Sequence, residues 1–291
     1  MPALSATIER RLLVNYRVDP GVAQTLLPPG LRPQLVDGSA VAGICLIRLG
    51  DLRPASVRPR LGWRAENAAH RIAVEWNTPN GVETGVYIPE RHSASWLAVA
   101  AGERVFPGIH RHARFTSDES AGRMRVGMRS KEMTVDVAVA VAAADDRTEV
   151  GAQAAGRASG AWRSSLFPNL DAASEFFRAG STGWSPARDG ELQGLTLSTS
   201  AWRIEGATPL AVRSSYFDAL PAGSATLDSV LLMRDVPVMW TVPTLALSGT
   251  AAAGTAASAI AASGTAASAF GAVVTPEVQV PVAPTASRRR A

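Results

Sequence analysis

The sequence predicts a mainly β protein, a barrel or a sandwich with a few short helices. Polar and apolar residues alternate over many short segments, as they do in strands that have one face on a core. Tight-turn sequences separate several of these segments, and 46% of the 291 residues are hydrophobic, enough for one sizeable core. Strands and helices do not succeed each other regularly, which excludes a doubly wound parallel sheet.

Nine segments are predicted as strands. Residues 8–18 are β-rich, and residues 41–49 form a nearly continuous apolar run, typical of a strand buried on both faces. Residues 71–77 alternate, the Thr-Pro-Asn-Gly sequence at 78–81 predicts a turn, and the pattern resumes at 82–88. The remaining predicted strands are residues 123–129, 134–141, 194–204, 210–216 and 226–234.

Three short helices are predicted between the strands. The first has Asp19 as its N-cap, Pro20 at its first position and a stop after Leu27. The second covers residues 93–101. The third begins at Asp171 as N-cap, turns Phe176 and Phe177 inward and stops at Gly180.

Composition divides the chain into a folded domain, residues 1–245, and a low-complexity tail, residues 246–291. No charged residue occurs between Val236 and Pro276, and Ser-Gly-Thr-Ala-Ala occurs at both Ser248 and Ser263. A stretch of Ala, Gly, Ser and Thr has too few large side chains to offset chain entropy by burial. We therefore expect a disordered tail that is dispensable for folding. The alternative is a membrane anchor over roughly residues 245–274, although such residues supply little transfer energy.

Charge and cysteine content exclude several classes of protein. The chain has 29 basic and 25 acidic residues. Without Glu277 and the three terminal arginines, 26 and 24 remain, too balanced for a nucleic-acid-binding surface. One cysteine, Cys45, excludes a disulfide scaffold and reads as a buried small hydrophobe. The first eleven residues contain no signal-peptide-like apolar stretch, so we expect a cytoplasmic protein that is not bound to a membrane.

Short catalytic motifs are missing from the sequence. It contains no Gly-rich nucleotide loop, no Gly-x-Ser-x-Gly and no His-Glu-x-x-His. His110 and His112, two apart on a strand, would share a face and suit one metal ion, but a third ligand is not evident. We prefer a pair of hydrogen-bonding histidines, and we predict neither a metal nor a cofactor.

The hairpin at Asn80-Gly81 brings a possible ligand site together. With a two- or four-residue loop, Glu83 and Tyr87 share a face with Trp76, while Glu75 lies on the opposite face. If the first face lines a barrel interior, these are polar groups in an apolar cavity, as in many ligand sites. The alternative makes Glu83 a solvated residue beside the turn.

Several segments occur in a recognisable order: residues 15–20 (Asn-Tyr-Arg-Val-Asp-Pro), 26–31, 106–115 (Phe-Pro-Gly-Ile-His-Arg-His-Ala-Arg-Phe), 176–186, 214–217, 231–234 and 236–237. In this order they resemble the acetoacetate decarboxylase superfamily, and within it the family known as domain of unknown function 2071. The resemblance covers roughly residues 7–242. It implies an antiparallel, cone-like β-barrel, with a cavity mouth at residues 76–87 and 106–113.

The resemblance does not extend to the decarboxylase lysines. Those enzymes carry a lysine pair after an aromatic-Pro pair, and the adjacent cation and apolar site make one amine nucleophilic. Here Phe106-Pro107 is followed by Gly108 and Ile109. The strand glutamate of the family falls at about residue 42 or 43, which are Ala and Gly. Lys131, the only lysine, lies in a charged turn where we expect it to be exposed.

Three interpretations of function follow. The first is a barrel that binds a small organic carboxylate or keto compound, with Trp76, Phe106 and the arginines Arg17, Arg104 and Arg114 as candidate binding residues. The second is a lysine-independent enzyme, a lyase or hydrolase, with acid-base groups chosen from Glu83, Tyr87, His110 and His112. The third is a protein-interaction module in which the tail matters more than the barrel. Fold alone does not choose among them.

Overall fold

Most of the described chain is β-strand. The computed structural model describes residues 3–57, 62–102, 106–120, 122–141, 162–187 and 190–242. Arg104 and the predicted tail lie outside these ranges. The described strands are β1 (Leu4–Val18), β2 (Arg32–Pro33), β3 (Leu35–Val36), β4 (Ser39–Pro54), β5 (Trp63–Thr78), β6 (Gly81–Tyr87), β7 (Glu90–Ser93), β8 (Ile109–His112), β9 (Arg114–Ser120), β10 (Arg123–Arg129), β11 (Thr134–Ala140), β12 (Thr182–Pro186), β13 (Leu192–Ser198), β14 (Glu205–Ser214) and β15 (Ala225–Thr241).

The described residues form four short helices, and the predicted mainly β class is confirmed. The helices are α1 (Pro20–Thr25), α2 (Trp96–Ala101), α3 (Leu170–Ala179) and α4 (Ser215–Asp218). Asp19 caps α1 as predicted, accepting a 2.9 Å hydrogen bond from the Val22 amide. None of the described helices has the length and hydropathy needed to span a membrane.

Some predicted elements differ from the observed ones. The predicted strand at 194–204 ends at Ser198, and the strand predicted at 210–216 ends at Ser214, where α4 begins. The cap of α3 is Asn169, not Asp171, since the Asn169 side chain accepts a 2.8 Å hydrogen bond from the Ala172 amide. Asp171 lies in the first turn instead, where its charge still suits the helix dipole.

Seven strands close on themselves in a ring. Strand β1 pairs antiparallel with β4 on one side and with β15 on the other. The ring continues through β5, β6, β12 and β13 back to β15. Its one parallel pairing joins β6 to β12, at Val86 opposite Gly183. The hairpin between β5 and β6 has a two-residue loop, with Thr78 opposite Gly81.

A second layer packs on the outside of the ring. Strands β14, β11, β10 and β9 extend from β15 and fold back over β1, β4 and β5. The main apolar core lies between the two layers and includes Trp76, Tyr87 and Trp184. The rings of Trp76 and Trp184 meet edge to face at 5.6 Å. Both faces of these ring strands are therefore buried, one against the second layer and one towards the ring interior.

A buried ion network ties the two layers together. Arg10 of β1 is 1% exposed, pairs with Glu66 of β5 and donates a 2.9 Å hydrogen bond to Glu119 of β9. Arg48 of β4 pairs with the same two carboxylates, at 2.7 Å each. Two cations and two anions thus balance each other, and both partners of the buried Arg10 are needed to compensate its loss of hydration.

Candidate functional site

A cavity of about 330 Å³ lies inside the ring. All seven ring strands contribute lining residues, and α3 closes part of the interior with Phe177. The walls are mostly apolar, with Leu13, Ile47 and Leu195 among them. Trp63, which is 41% exposed, stands where the cavity meets the surface. The volume lies at the lower end of the range for small-molecule sites.

Arg71 is the most deeply buried cation in the cavity wall, at 3% exposure. It lies opposite Gly43 on β4, and Gly43 lies opposite Asn15 on β1. The Arg71 side chain crosses β4, and Nη2 donates a 2.6 Å hydrogen bond to Asn15 Oδ1. A β-carbon at Gly43 would lie 2.4 Å from the Val14 carbonyl oxygen, so the glycine permits the close approach of β1. The guanidinium carbon is 4.6 Å from the centre of the Phe177 ring, a cation–π contact. The Nε atom of Arg71 is buried and has no partner.

Arg91 of β7 is a second cation in the cavity wall. Its Nε donates a 2.8 Å hydrogen bond to the Pro107 carbonyl oxygen, and its Nη2 donates at 3.2 Å to Ser185 Oγ. Gly108 permits this arrangement. Its φ is +103°, and a β-carbon there would lie 2.7 Å from the Ser185 β-carbon. The Phe106-Pro107-Gly108 segment thus folds around the Arg91 side chain.

Arg11 and Cys45 are further polar residues of the wall. Arg11 Nε donates a 3.2 Å hydrogen bond to Cys45 Sγ, and the predicted burial of the free Cys45 is confirmed. No described carboxylate forms an ion pair with Arg11, Arg71 or Arg91. Burial lowers the pKa of Arg71 to about 10, with the charge of Arg11 acting in the same direction, and burial lowers the pKa of Arg91 to about 10. Arg71 and Arg91 therefore remain charged at pH 7, and no carboxylate in the described part of the chain compensates their charge in the cavity wall.

Two of the predicted site residues, Phe106 and His110, line the cavity. The Phe106 ring meets Trp240 edge to face at 5.5 Å. His110 Nε2 lies 3.0 Å from the Phe106 carbonyl oxygen, so this nitrogen carries a proton and donates it. Burial lowers the pKa of His110 to about 4, and the charge of Arg91 acts in the same direction, so the ring is neutral at pH 7.

The other predicted site residues lie elsewhere. Glu83, Arg17 and Arg114 are exposed and outside the cavity wall, so Glu83 occupies the solvated position beside the turn. Trp76 and Tyr87 point to the core between the layers, not to the ring interior, and burial raises the pKa of Tyr87 to about 12. The expectation that their face lines the interior is therefore wrong. Because the second layer buries the face that carries Trp76 and Tyr87, hydrophobicity does not distinguish this face from the one that lines the ring interior.

His112 does not join His110 at a common site. Its ring stacks on Trp96 of α2, with 3.9 Å between the ring centres. Within the described ranges, no group of three or more His, Cys, Asp or Glu side chains is arranged to hold a metal ion.

Three of the four described arginines that line the cavity, Arg11, Arg71 and Arg91, were not predicted as site residues; the fourth, Arg53, pairs with Asp51. The alternation of residues 71–77 places Arg71 with Glu75 and Asn77 on one face of β5, and that face does reach solvent near the hairpin. Further along the strand the same face turns into the ring interior. The available signal was a single arginine in mid-strand, followed by the apolar residues Ile72, Ala73 and Val74.

The ring, the outer layer and the cavity define the class of protein: an acetoacetate decarboxylase-like fold. An acetoacetate decarboxylase structure from Legionella pneumophila is 14% identical, with a TM-score of 0.50, over 86% of this chain and 88% of that one. An acetoacetate decarboxylase-like enzyme from Sphingomonas wittichii is 15% identical, with a TM-score of 0.51, over 86% and 94%. A further acetoacetate decarboxylase structure is 11% identical, with a TM-score of 0.51, over 86% and 90%.

Within that class the chain has a definite family. Residues 5–211 match the profile of domain of unknown function 2071, described as an uncharacterized conserved protein, and the chain belongs to this family. No functionally curated protein matches the sequence. The resemblance found in the sequence is thereby confirmed at the level of both fold and family.

Proposed function

We propose that the protein binds a small organic carboxylate inside the ring, and that Arg71 holds the carboxylate. The observation that carries the proposal is the Arg71 guanidinium, which is buried in the cavity wall, has no carboxylate partner among the described residues and leaves Nε without a hydrogen bond. An unpaired buried cation is costly, and an anionic ligand offsets that cost. Guanidinium groups suit carboxylates because their N–H groups match the two oxygens.

The rest of the cavity suits the body of such a ligand. Its apolar walls favour a short hydrocarbon or keto chain over a highly hydroxylated one, and its 330 Å³ favour a small molecule. Arg11 and Arg91 add positive charge around the same space, so a monocarboxylate or a compact dicarboxylate fits the charge. This retains the ligand class expected from the sequence but replaces Arg17 and Arg114 with arginines inside the ring.

Carboxylate binding is tested by calorimetry with butyrate, pyruvate and, as the uncharged match, butyramide. We expect the two carboxylates to bind and butyramide to bind at least tenfold more weakly. Arg71→Met is expected to weaken carboxylate binding by roughly 10- to 100-fold, the effect of losing hydrogen bonds to a charged group.

The matched control is Arg17→Met, which removes an exposed arginine outside the cavity and should leave binding unchanged. Equal binding of butyrate and butyramide, or an Arg71→Met variant that binds butyrate like the wild type, would contradict the proposal. Thermal unfolding of each variant shows whether a loss of binding reflects a loss of folding.

Binding in this cavity is expected to proceed without a Schiff base. The only lysine, Lys131, is exposed in the turn between β10 and β11 and is not part of the cavity wall. A Schiff base needs a desolvated amine beside the substrate carbonyl. Treatment with acetoacetate and borohydride, followed by intact mass, should therefore give no adduct. A stoichiometric adduct on Lys131 would show that this residue reaches the cavity.

A further inference from the structure

Cys45 occupies the centre of the positively charged part of the cavity wall. On β4 it lies opposite Leu13 of β1 and Ala69 of β5. Arg11 and Arg71 lie two residues further along those strands, in opposite directions, so both are diagonal neighbours of Cys45 on the same face. Cys45 is the only cysteine of the chain, and its Sγ already accepts a hydrogen bond from Arg11.

A second observation points to a ligand beside this thiol. Arg71, at 3% exposure, has an unpartnered Nε in the same cavity wall. Because Arg71 and Cys45 are diagonal neighbours on the same face of the sheet, a carboxylate held by Arg71 lies on the same side of the cavity wall as the Cys45 sulfur.

We propose that Cys45 is a covalent capture site for carboxylates that carry an electrophilic carbon next to the carboxyl group, with 2-oxo acids as the ligand class. The inference rests on the proposed carboxylate site and adds a covalent bond between Cys45 and the bound ligand. With a 2-oxo acid, the Cys45 sulfur adds to the C2 carbonyl. The S–C bond forms, the C=O π bond breaks, and the thiol proton ends on the former carbonyl oxygen. The product is a thiohemiketal, and the reverse step regenerates both partners.

The arginines give this thiol a selectivity that a buried cysteine in a neutral pocket lacks. An anionic electrophile is concentrated at the thiol by Arg71, Arg91 and Arg11, whereas an uncharged one of the same size is not. Iodoacetate and iodoacetamide form such a pair. In both reactions the S–C bond forms, the C–I bond breaks, iodide leaves and the thiol proton goes to solvent.

The first experiment measures alkylation of the full chain by each reagent with intact mass. The ratio of the iodoacetate rate to the iodoacetamide rate is expected to be at least tenfold higher in the folded protein than in the same protein unfolded in urea. Arg71→Met should lower that ratio towards the unfolded value, while Arg17→Met should not. Cys45→Ser should give no adduct and so verify the site.

The second experiment uses pyruvate labelled with ¹³C at C2. We expect a tetrahedral C2 signal in the wild type that is missing in Cys45→Ser, while calorimetry still detects pyruvate binding to Cys45→Ser. Pyruvate should also slow alkylation by iodoacetate in the wild type.

The outcomes separate the two proposals. Pyruvate binding with neither a tetrahedral signal nor alkylation by iodoacetate would overturn covalent capture and leave the carboxylate site standing. An equal ratio of iodoacetate to iodoacetamide alkylation rates in the folded and unfolded protein, together with no pyruvate binding, would overturn both the covalent capture and the carboxylate site.

Discussion

Glu66→Ala is expected to lower the free energy of unfolding by about 3–5 kcal/mol, because it leaves the fully buried Arg10 with only one of its two carboxylates. In a domain of this size the change corresponds to a fall of roughly 10 °C in the midpoint of thermal unfolding. The variant also removes the ion pair between Arg48 and Glu66, whose atoms are 2.7 Å apart. Circular dichroism during heating and urea unfolding measures both quantities.

Two further variants show whether burial is the cause. Asp136→Ala breaks the exposed pair with Arg125 and should cost less than about 1 kcal/mol. The double variant Arg10→Met with Glu66→Leu removes the buried pair together and should recover most of the stability lost in Glu66→Ala. If Glu66→Ala is no more destabilising than Asp136→Ala, the network does not hold the two layers together as described.

Acidification is expected to destabilise the protein between pH 7 and pH 5, and His70 is one of the buried histidines responsible, together with His92 and His110. The His70 side chain is 1% exposed, stacks on Tyr216 at 4.4 Å between ring centres and contacts Ser214 Oγ at 3.2 Å. Burial lowers its pKa to about 3, and the nearby His92 acts in the same direction.

The direction of this pH dependence follows from the uptake of protons on unfolding. The folded pKa lies below the unfolded value of about 6.5, so the unfolded chain binds more protons in this range. Stability from His70 is complete above pH 6.5 and declines as the pH falls towards 3. For His70 alone we expect a loss of about 2 kcal/mol between pH 7 and pH 5.

The dependence of stability on pH distinguishes the protonation of His70 from a loss of packing in a variant. His70→Phe keeps an aromatic ring but cannot be protonated, so its stability should change less between pH 7 and pH 5, whatever its value at pH 7. A His70→Phe variant with the wild-type slope would show that another group controls the acid response.

The sequence predicted most of the fold because the signals for its strands, turns and helices are short-range patterns. Alternation marked β10 and β11, which have one face on the core and one in solvent. A turn sequence marked the hairpin between β5 and β6, and Asp19 with Pro20 marked the start of α1. Each of these signals depends on neighbours within a few residues of one another.

The candidate site was predicted less well because it depends on how distant strands close into a ring. Phe106 was found through the resemblance and His110 through its spacing from His112, but the face of β5 that lines the interior was not predicted. Trp76 and Arg71 lie on opposite faces, and both faces are buried once the second layer is in place. Likewise, the apolar pair Tyr216 and Phe217 suits a strand or a helical turn equally. It forms part of α4, directly after β14, and both side chains pack in the core.

The buried arginines give the ring interior the properties of an anion exchanger. Arg71 and Arg91 are fixed positive groups that have no carboxylate partner among the described residues, so the anion proposed to balance them comes from solution. Under that proposal a carboxylate ligand exchanges with small anions, and chloride, bicarbonate or acetate in a buffer is expected to compete with it. Apparent affinities measured in chloride and in a bulky sulfonate buffer are then expected to differ even though the protein is unchanged, and only the ionised form of a weak acid enters the exchange.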